Sequence, residues 1–331
     1  MWENTVDVSE PTSTPYESLW RTVDQHRVAK VARIDEMLAL IPDAGDAGWA
    51  GTAASDLPLR YGLAHHVLES VQRAAETGDV PGMRRALRLR SSQDSLRPIG
   101  TAAGPVLVAH PDEASLIDDQ QLSRTPVAVV DPDVCATADE RDRRLIQAAL
   151  AMAVEADFGP TVSRNCRVVV LLQRRTMHDT DVRSWTTSAL PTTVHLDYFD
   201  EHYFVARDLI HEAAHTAMND LLAAHDVSFP DDASYYAPWR QMKRPAFGFL
   251  HGVWAFSHVA LFCARLAEAE VPREVAAMAR AMYLKHAEEL SAARDDADRA
   301  LQLITEPALA DAVRWYRDQV LDLQSSMAGS A

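Results

Sequence analysis

ARDLIHEAAHTAMNDLL, residues Ala206–Leu222, decides how the rest of the chain is read. It holds His211-Glu212-Ala213-Ala214-His215, an H-E-x-x-H pattern. Residues four apart on a helix lie one turn apart on one face, so the spacing brings two imidazoles to the same side. Two such imidazoles can take one divalent metal. Glu212 is rotated by about 100° from His211 and reaches the edge of that face without being a ligand. Leu209, Ile210, Ala213, Ala214, Ala217, Met218, Leu221 and Leu222 make the helix largely apolar. A buried apolar helix does not carry His, Glu and His together unless partners or a metal satisfy them.

Working outward, Arg167–Gln173 and Thr192–Tyr198 read as strands, the second leading into the H-E-x-x-H helix. Short strand-like runs also occur at Pro105–Ala109 and Val127–Val130. Helical periodicity marks Tyr16 to about Leu40, with Leu19, Val23, Val31, Ile34 and Leu38 on one stripe and Val28, Met37 and Leu40 beside it. Leu59–Thr77, Gly82–Leu89 and Asp133–Asp157 are further helices, and Pro42–Pro58 reads as a loop. Downstream, Asp226–Trp239 reads as a loop, followed by helices over Pro245–Leu266, Val271–Leu290, Asp295–Leu303 and Pro307–Leu323. The pattern predicts an α+β fold, predominantly helical, with a few short strands beside a helix-borne metal site. The chain divides into an N-terminal mostly helical region, 1–158, and an H-E-x-x-H catalytic region, 159–331, or, since no flexible linker stands out between them, forms one compact unit.

The chain has 331 residues, 47% of them apolar, enough for a sizeable core. Its net charge of −16 argues against a nucleic-acid-binding face; it fits a solvated acidic surface first and is compatible with a basic peptide partner. Lys30, Lys243 and Lys285 are the only lysines, so arginine carries nearly all the positive charge. Cys135, Cys166 and Cys263 form no C-x-x-C pair, which fits a reducing compartment. Residues 1–20 show neither a basic nor an apolar signal region, and the expected location is the cytoplasm. Pro245–Ala264 lacks Asp, Glu, Lys and Arg, but with His251, Gly252, Ser257 and His258 it reads as a buried core helix rather than a membrane span.

A metal needs more than two histidines. The protease continuation with Gly and His three and six residues on is absent, since Met218 and Leu221 stand there. A later glutamate, Glu268 or Glu270, would serve a second protease class. His251, inside an apolar helix, is the stronger candidate, with Gly252 beside it permitting close approach of another helix. His258, seven residues on, is the alternative ligand or a group supporting one. Arg244 precedes Pro245, a natural helix start, and stands two turns, about 10 Å, before His251 on the same side. An arginine there can grip the far carboxylate of a small dicarboxylate whose other end meets the metal, or equally can be a surface arginine that caps the loop. Arg240 and Lys243 lie close enough in sequence to substitute.

His211-Glu-Ala-Ala-His215, Tyr236-Ala-Pro-Trp-Arg240, Lys243-Arg-Pro245 and Leu250-His-Gly252, in that order and spacing, resemble the HExxH-type 2-oxoglutarate-dependent peptide β-hydroxylases. These are associated with modification of ribosomally made peptides. The resemblance covers roughly residues 190–265. It implies non-haem Fe(II), 2-oxoglutarate and O₂, with His211, His215 and His251 as iron ligands. It further implies Arg244, then Arg240, as the clamp for the cosubstrate and Glu212 as a group positioning water or substrate. The expected reaction is hydroxylation of a C–H bond, at the β-carbon, of a peptide or amino-acid side chain. Two other readings stand beside it: a zinc metallopeptidase with Glu212 as general base, and a non-catalytic binding protein carrying a relic site.

Overall fold

The computed structural model describes residues 14–41, 48–91, 96–111, 127–131, 135, 138–176, 179 and 182–328. The expected 1–15 tail, the start of the expected 42–58 loop and the polar connection at 112–126 fall largely or wholly outside them. The fold is α+β and mostly helical, with two small sheets. The chain forms two compact units: Asp24–Val154 with Thr161–Thr216, and Met1–Val23 with Glu155–Pro160 and Ala217–Ala331. Both therefore draw on segments from either side of residue 158.

The first unit is built on a five-stranded sheet. Helices α1 (Thr14–Ala39), α2 (Gly51–Ser55), α3 (Leu57–Thr77) and α4 (Val80–Arg88) lead into β1 (Ile99–Thr101) and β2 (Gly104–Ala109). Then come α5 (Glu140–Ala153), α6 (Gly159–Asn165), β3 (Val168–Arg174), β4 (Ser184–Thr187), β5 (Leu190–Tyr198) and α7 (His202–Ala224), with α1 up to Val23, α6 up to Pro160 and α7 from Ala217 on counted to the second unit. The strand order is β1-β2-β3-β5-β4, with β2, β3 and β5 parallel and the edge strands antiparallel. Parallel strands are covered on both faces, so they read as unbroken apolar runs. Val168–Leu171 and all of β5 are accordingly buried. Val168, Val170 and Leu172 join Val31, Ile34, Leu38, Leu59 and Val67 in one core. Each fully buried side chain of this size contributes about 1.5–3 kcal/mol.

The stripe on α1 is buried at Leu19, Val23, Val31, Ile34 and Leu38, while Val28, Met37 and Leu40 beside it are exposed. Between Val23 and Val31 the stripe is completed by Arg27, 0% exposed. Its guanidinium donates to Asn165 Oδ1 at 2.7 Å and Arg164 O at 2.8 Å, and lies over the Tyr61 ring. Helix α5 starts at Glu140, later than expected, because Asp139 and Asp142 form a reciprocal capping box there. It gives way to a π-turn at Val154–Phe158, where Asp157 has φ 67°. The expected loop at 42–58 contains α2, and β1, β4 and α6 are elements the hydrophobic pattern missed.

Val127–Val130 is not a strand: Val127 makes an isolated bridge and the next three residues have no ladder. Two buried histidines take the place of a neighbouring strand. Ala128 N–H donates to His195 Nε2 and Val130 N–H to His66 Nδ1, both at 3.1 Å. His66 Nε2 in turn meets Thr193 Oγ1 at 2.9 Å, and Trp185 stacks on His195 with planes 4° apart.

The second unit carries a hairpin of β6 (Ser234–Ala237) and β7 (Met242–Pro245), then α8 (Ala246–Glu268), α9 (Arg273–Ala292), α10 (Arg294–Leu301) and α11 (Pro307–Ala328). The expected 226–239 loop thus contains β6. Helix α8 is the one helix among the described residues long and apolar enough to cross a membrane, and 83% of its most apolar window is buried inside the protein. It is a core helix, with Trp254, Phe249 and Phe262 among its buried residues.

Candidate metal centre

Helix α7 runs from His202 to Ala224, four residues before the start and two beyond the end of the expected range. Leu209, Ile210, Ala213 and Ala214 are all 0% exposed, while His211 and His215 are half-buried. The two Nε2 atoms face each other at 3.2 Å, with ring planes 88° apart. That separation suits a shared cation. Two metal–nitrogen bonds of about 2.1 Å whose ends are so spaced enclose an angle of about 100°, between the octahedral and tetrahedral values. The donor set, two imidazoles, suits iron and zinc alike.

Glu212 lies on the neighbouring side of α7, 2% exposed, and accepts a hydrogen bond from Ser184 Oγ at 2.7 Å. One turn on, Thr216 Oγ1 meets Thr186 Oγ1 at 3.0 Å. Residues 184 and 186 share a strand face, and 212 and 216 share a helix face, so β4 and α7 match period two against period four. Burial pushes the Glu212 carboxyl up to about 8; Ser184 opposes that shift and the nearby Asp208 adds to it. Ser184 was invisible to motif reasoning. The signal for it was the need of a buried carboxyl for a donor, which names no residue.

The second unit carries the remaining candidates. His251 is 6% exposed, its ring against Phe247 with centroids 4.2 Å apart. Arg244 is not part of a helix two turns before it. It sits in β7, opposite Tyr235, and the helix begins only at Ala246. Its guanidinium folds along the first turn of α8, where a Cβ on Gly248 would lie 2.9 Å from an Arg244 terminal nitrogen. Gly248 is one turn before His251, about 4.5 Å along the axis. Arg240 ends the 3-10 turn Pro238–Arg240 and is exposed, as is Lys243. His258 is 1% exposed, bonds Trp254 O through Nδ1 at 2.8 Å, and stacks on Tyr316 with centroids 4.1 Å apart. Burial pushes it down to about 4. Glu268 ends α8 in an exposed ion pair with Arg280 at 3.0 Å, and Glu270 is exposed. Among the described residues, no group of three or more His, Cys, Asp or Glu is arranged to hold a metal ion.

Gly252 does admit a close neighbour, but it is the Trp239 indole rather than a helix. A Cβ at 252 would lie 2.4 Å from Trp239 Cζ2. The indole is itself stacked on Phe249 and tilted against Phe256, so it has little room to retreat. Gly252→Ala is expected to destabilise the protein by about 1–3 kcal/mol through overpacking. A urea midpoint equal to that of the parent protein would refute this.

The chain matches no family model and no curated protein.

Proposed function

We propose that the chain is a non-haem Fe(II)/2-oxoglutarate-dependent oxygenase of the cytoplasm. In this reading it hydroxylates a C–H bond, at the β-carbon, of a peptide or amino-acid side chain, and a ribosomally made precursor peptide is the substrate class. The convergence of His211 and His215 Nε2 at 3.2 Å on a buried helix is the observation that carries it. The residues that would hold iron are His211, His215 and His251. Iron with 2-oxoglutarate and O₂ supplies the oxidising power: the C–H becomes C–OH while 2-oxoglutarate goes to succinate and CO₂.

The chain's own residues then have distinct tasks. Arg244 is half-buried and, among the described residues, has no carboxylate partner. Lying along the first turn of α8, it offers a fork to the distal carboxylate of the cosubstrate, with His251 one turn further on. Arg240 is the reserve. Three neutral imidazoles leave the cation's charge uncompensated, so a dianionic cosubstrate is favoured at the site. Glu212, fixed by Ser184, orients a water or a polar group of the substrate at the edge of the histidine pair. The acidic surface favours a basic peptide. Cys135, Cys166 and Cys263 are buried and form no disulfide among the described residues, as suits a reducing cytoplasm.

The test is succinate release by the purified protein with Fe(II), O₂ and 2-oxoglutarate. Arg244→Gln is expected to raise the KM for 2-oxoglutarate about tenfold or more, the loss of a bidentate charged pair. Arg240→Gln should change it less. Neither binding nor turnover of 2-oxoglutarate would sink the proposal, and chelator-sensitive peptide cleavage restored by zinc would point to the metallopeptidase reading instead.

A further inference from the structure

The three parallel strands β2, β3 and β5 end on the same edge of the sheet. In open sheets of this kind the carboxyl ends of parallel strands are where ligands bind. Here the strand ends carry polar groups. Arg174 closes β3, Tyr198 closes β5, Asp200 follows it, and His110 follows β2. Against them stands one face of α5, where Arg141, Arg144, Leu145 and Ala148 recur at helical spacing. A cleft of about 220 Å³ opens between this face, Arg174, Asp200 and His202.

The cleft is preorganised. Asp142, 2% exposed, is tied down by its capping box and bonds His110 Nδ1 at 3.3 Å and the Tyr198 hydroxyl at 3.4 Å. Arg174 is steered by three neighbours: Asp142 at 3.6 Å, Asp200 at 3.5 Å and the Tyr198 ring at 5.4 Å. Arg141 bonds Asp200 at 2.7 Å. Among the described residues, Arg144 pairs with its own helix neighbour Glu140 alone, at 3.3 Å, and both are well exposed. Three guanidiniums thus line the cleft with Asp200 among them, while Asp142 and Glu140, outside the lining, pair with Arg174 and Arg144. Leu145 and Ala148 give it an apolar floor. Its volume is below the roughly 300–1,000 Å³ of clefts that take drug-sized ligands.

We propose that this cleft is a binding site for a small organic anion, a carboxylate or phosphate on a short apolar stem, distinct from the histidine pair. His202 stands nine residues before His211, about 13.5 Å along α7. The anion takes the Arg144 and Arg174 forks, and its stem lies on Leu145 and Ala148. Asp200 competes with it for Arg141 and Arg174.

Titration calorimetry at fixed ionic strength with inorganic phosphate and, separately, butyrate tests this and tells the two sources apart. It should be run on the parent protein and on His211→Ala, so that a failed metal site does not obscure the result. Arg144→Gln, at an exposed position with a single local partner, is expected to weaken binding about tenfold. Asp200→Asn is expected to tighten it severalfold, because it removes the competing carboxylate. Opposite shifts from these two variants support the site even if Arg174 variants fail to fold. Absence of binding by either anion at 20-fold molar excess over about millimolar protein, or affinity unmoved by both variants, overturns it.

Discussion

His211→Ala and His215→Ala are each expected to lower affinity for Fe(II) or Zn(II) by about 100-fold or more and to abolish any metal-dependent turnover. Supporting residues around metal ligands are commonly worth about 10–100-fold, and a ligand itself is worth at least as much. The two Nε2 atoms are 3.2 Å apart, so neither ring can be lost without leaving the other as an isolated donor on α7. Both side chains are half-buried and alanine is a strong helix former, so the helix should persist. Circular dichroism and a urea midpoint check that. Metal content after reconstitution, by elemental analysis, is the direct measurement. Glu212→Gln is the internal control: it should keep the metal and lose activity, because Glu212 is held by Ser184 and is not a ligand in this reading. If either alanine variant binds metal as the parent does, the oxygenase and peptidase readings fall together. The non-catalytic reading then takes their place.

The legible parts of this chain were those where one physical rule acts alone. The α1 stripe, the apolar runs of β3 and β5, and the buried α8 follow from burial at period 3.6 or from full enclosure, and each is visible in a few residues. The H-E-x-x-H face is equally local, since i and i+4 on one helix must converge. What stayed hidden was tertiary. Arg27 occupies a core position only because Asn165 and Arg164 O meet it from a distant helix. Ser184 gains its role from pairing with Glu212 across 28 positions. Arg244 was placed on a helix axis because Pro245 is a good helix start, whereas pairing with Tyr235 carries the chain through Pro245 as strand. The carboxyl-end cleft needs the parallel order of β2, β3 and β5, which no single segment encodes.

Lowering the pH from 7.5 to 5.0 is expected to cost the parent protein about 4 kcal/mol through His66 and His195 alone. Burial pushes His66 down to about 3, with the neighbouring His195 and His65 adding to it, and burial pushes His195 down to about 4. Geometry gives the reason: each uses a ring nitrogen as acceptor, for Val130 N–H and Ala128 N–H. Protonation would set donor against donor in a core where both rings are 0% exposed. Because the folded values lie below the ordinary 6.5, the unfolded chain binds the extra protons. The stabilisation is therefore complete above about pH 6.5 and is lost as pH falls through 5 towards 3–4. At pH 5, 1.5 units below the unfolded value, each histidine accounts for about 2 kcal/mol. His258, also pushed down to about 4, acts in the same sense in the other unit. His66→Asn with His195→Gln keeps an acceptor at each position without a titration. The double variant should show a smaller fall in urea midpoint between pH 7.5 and 5.0 than the parent, with the His258 part remaining. An unchanged pH slope would mean that residues 127–130 are not held to the sheet by neutral imidazoles.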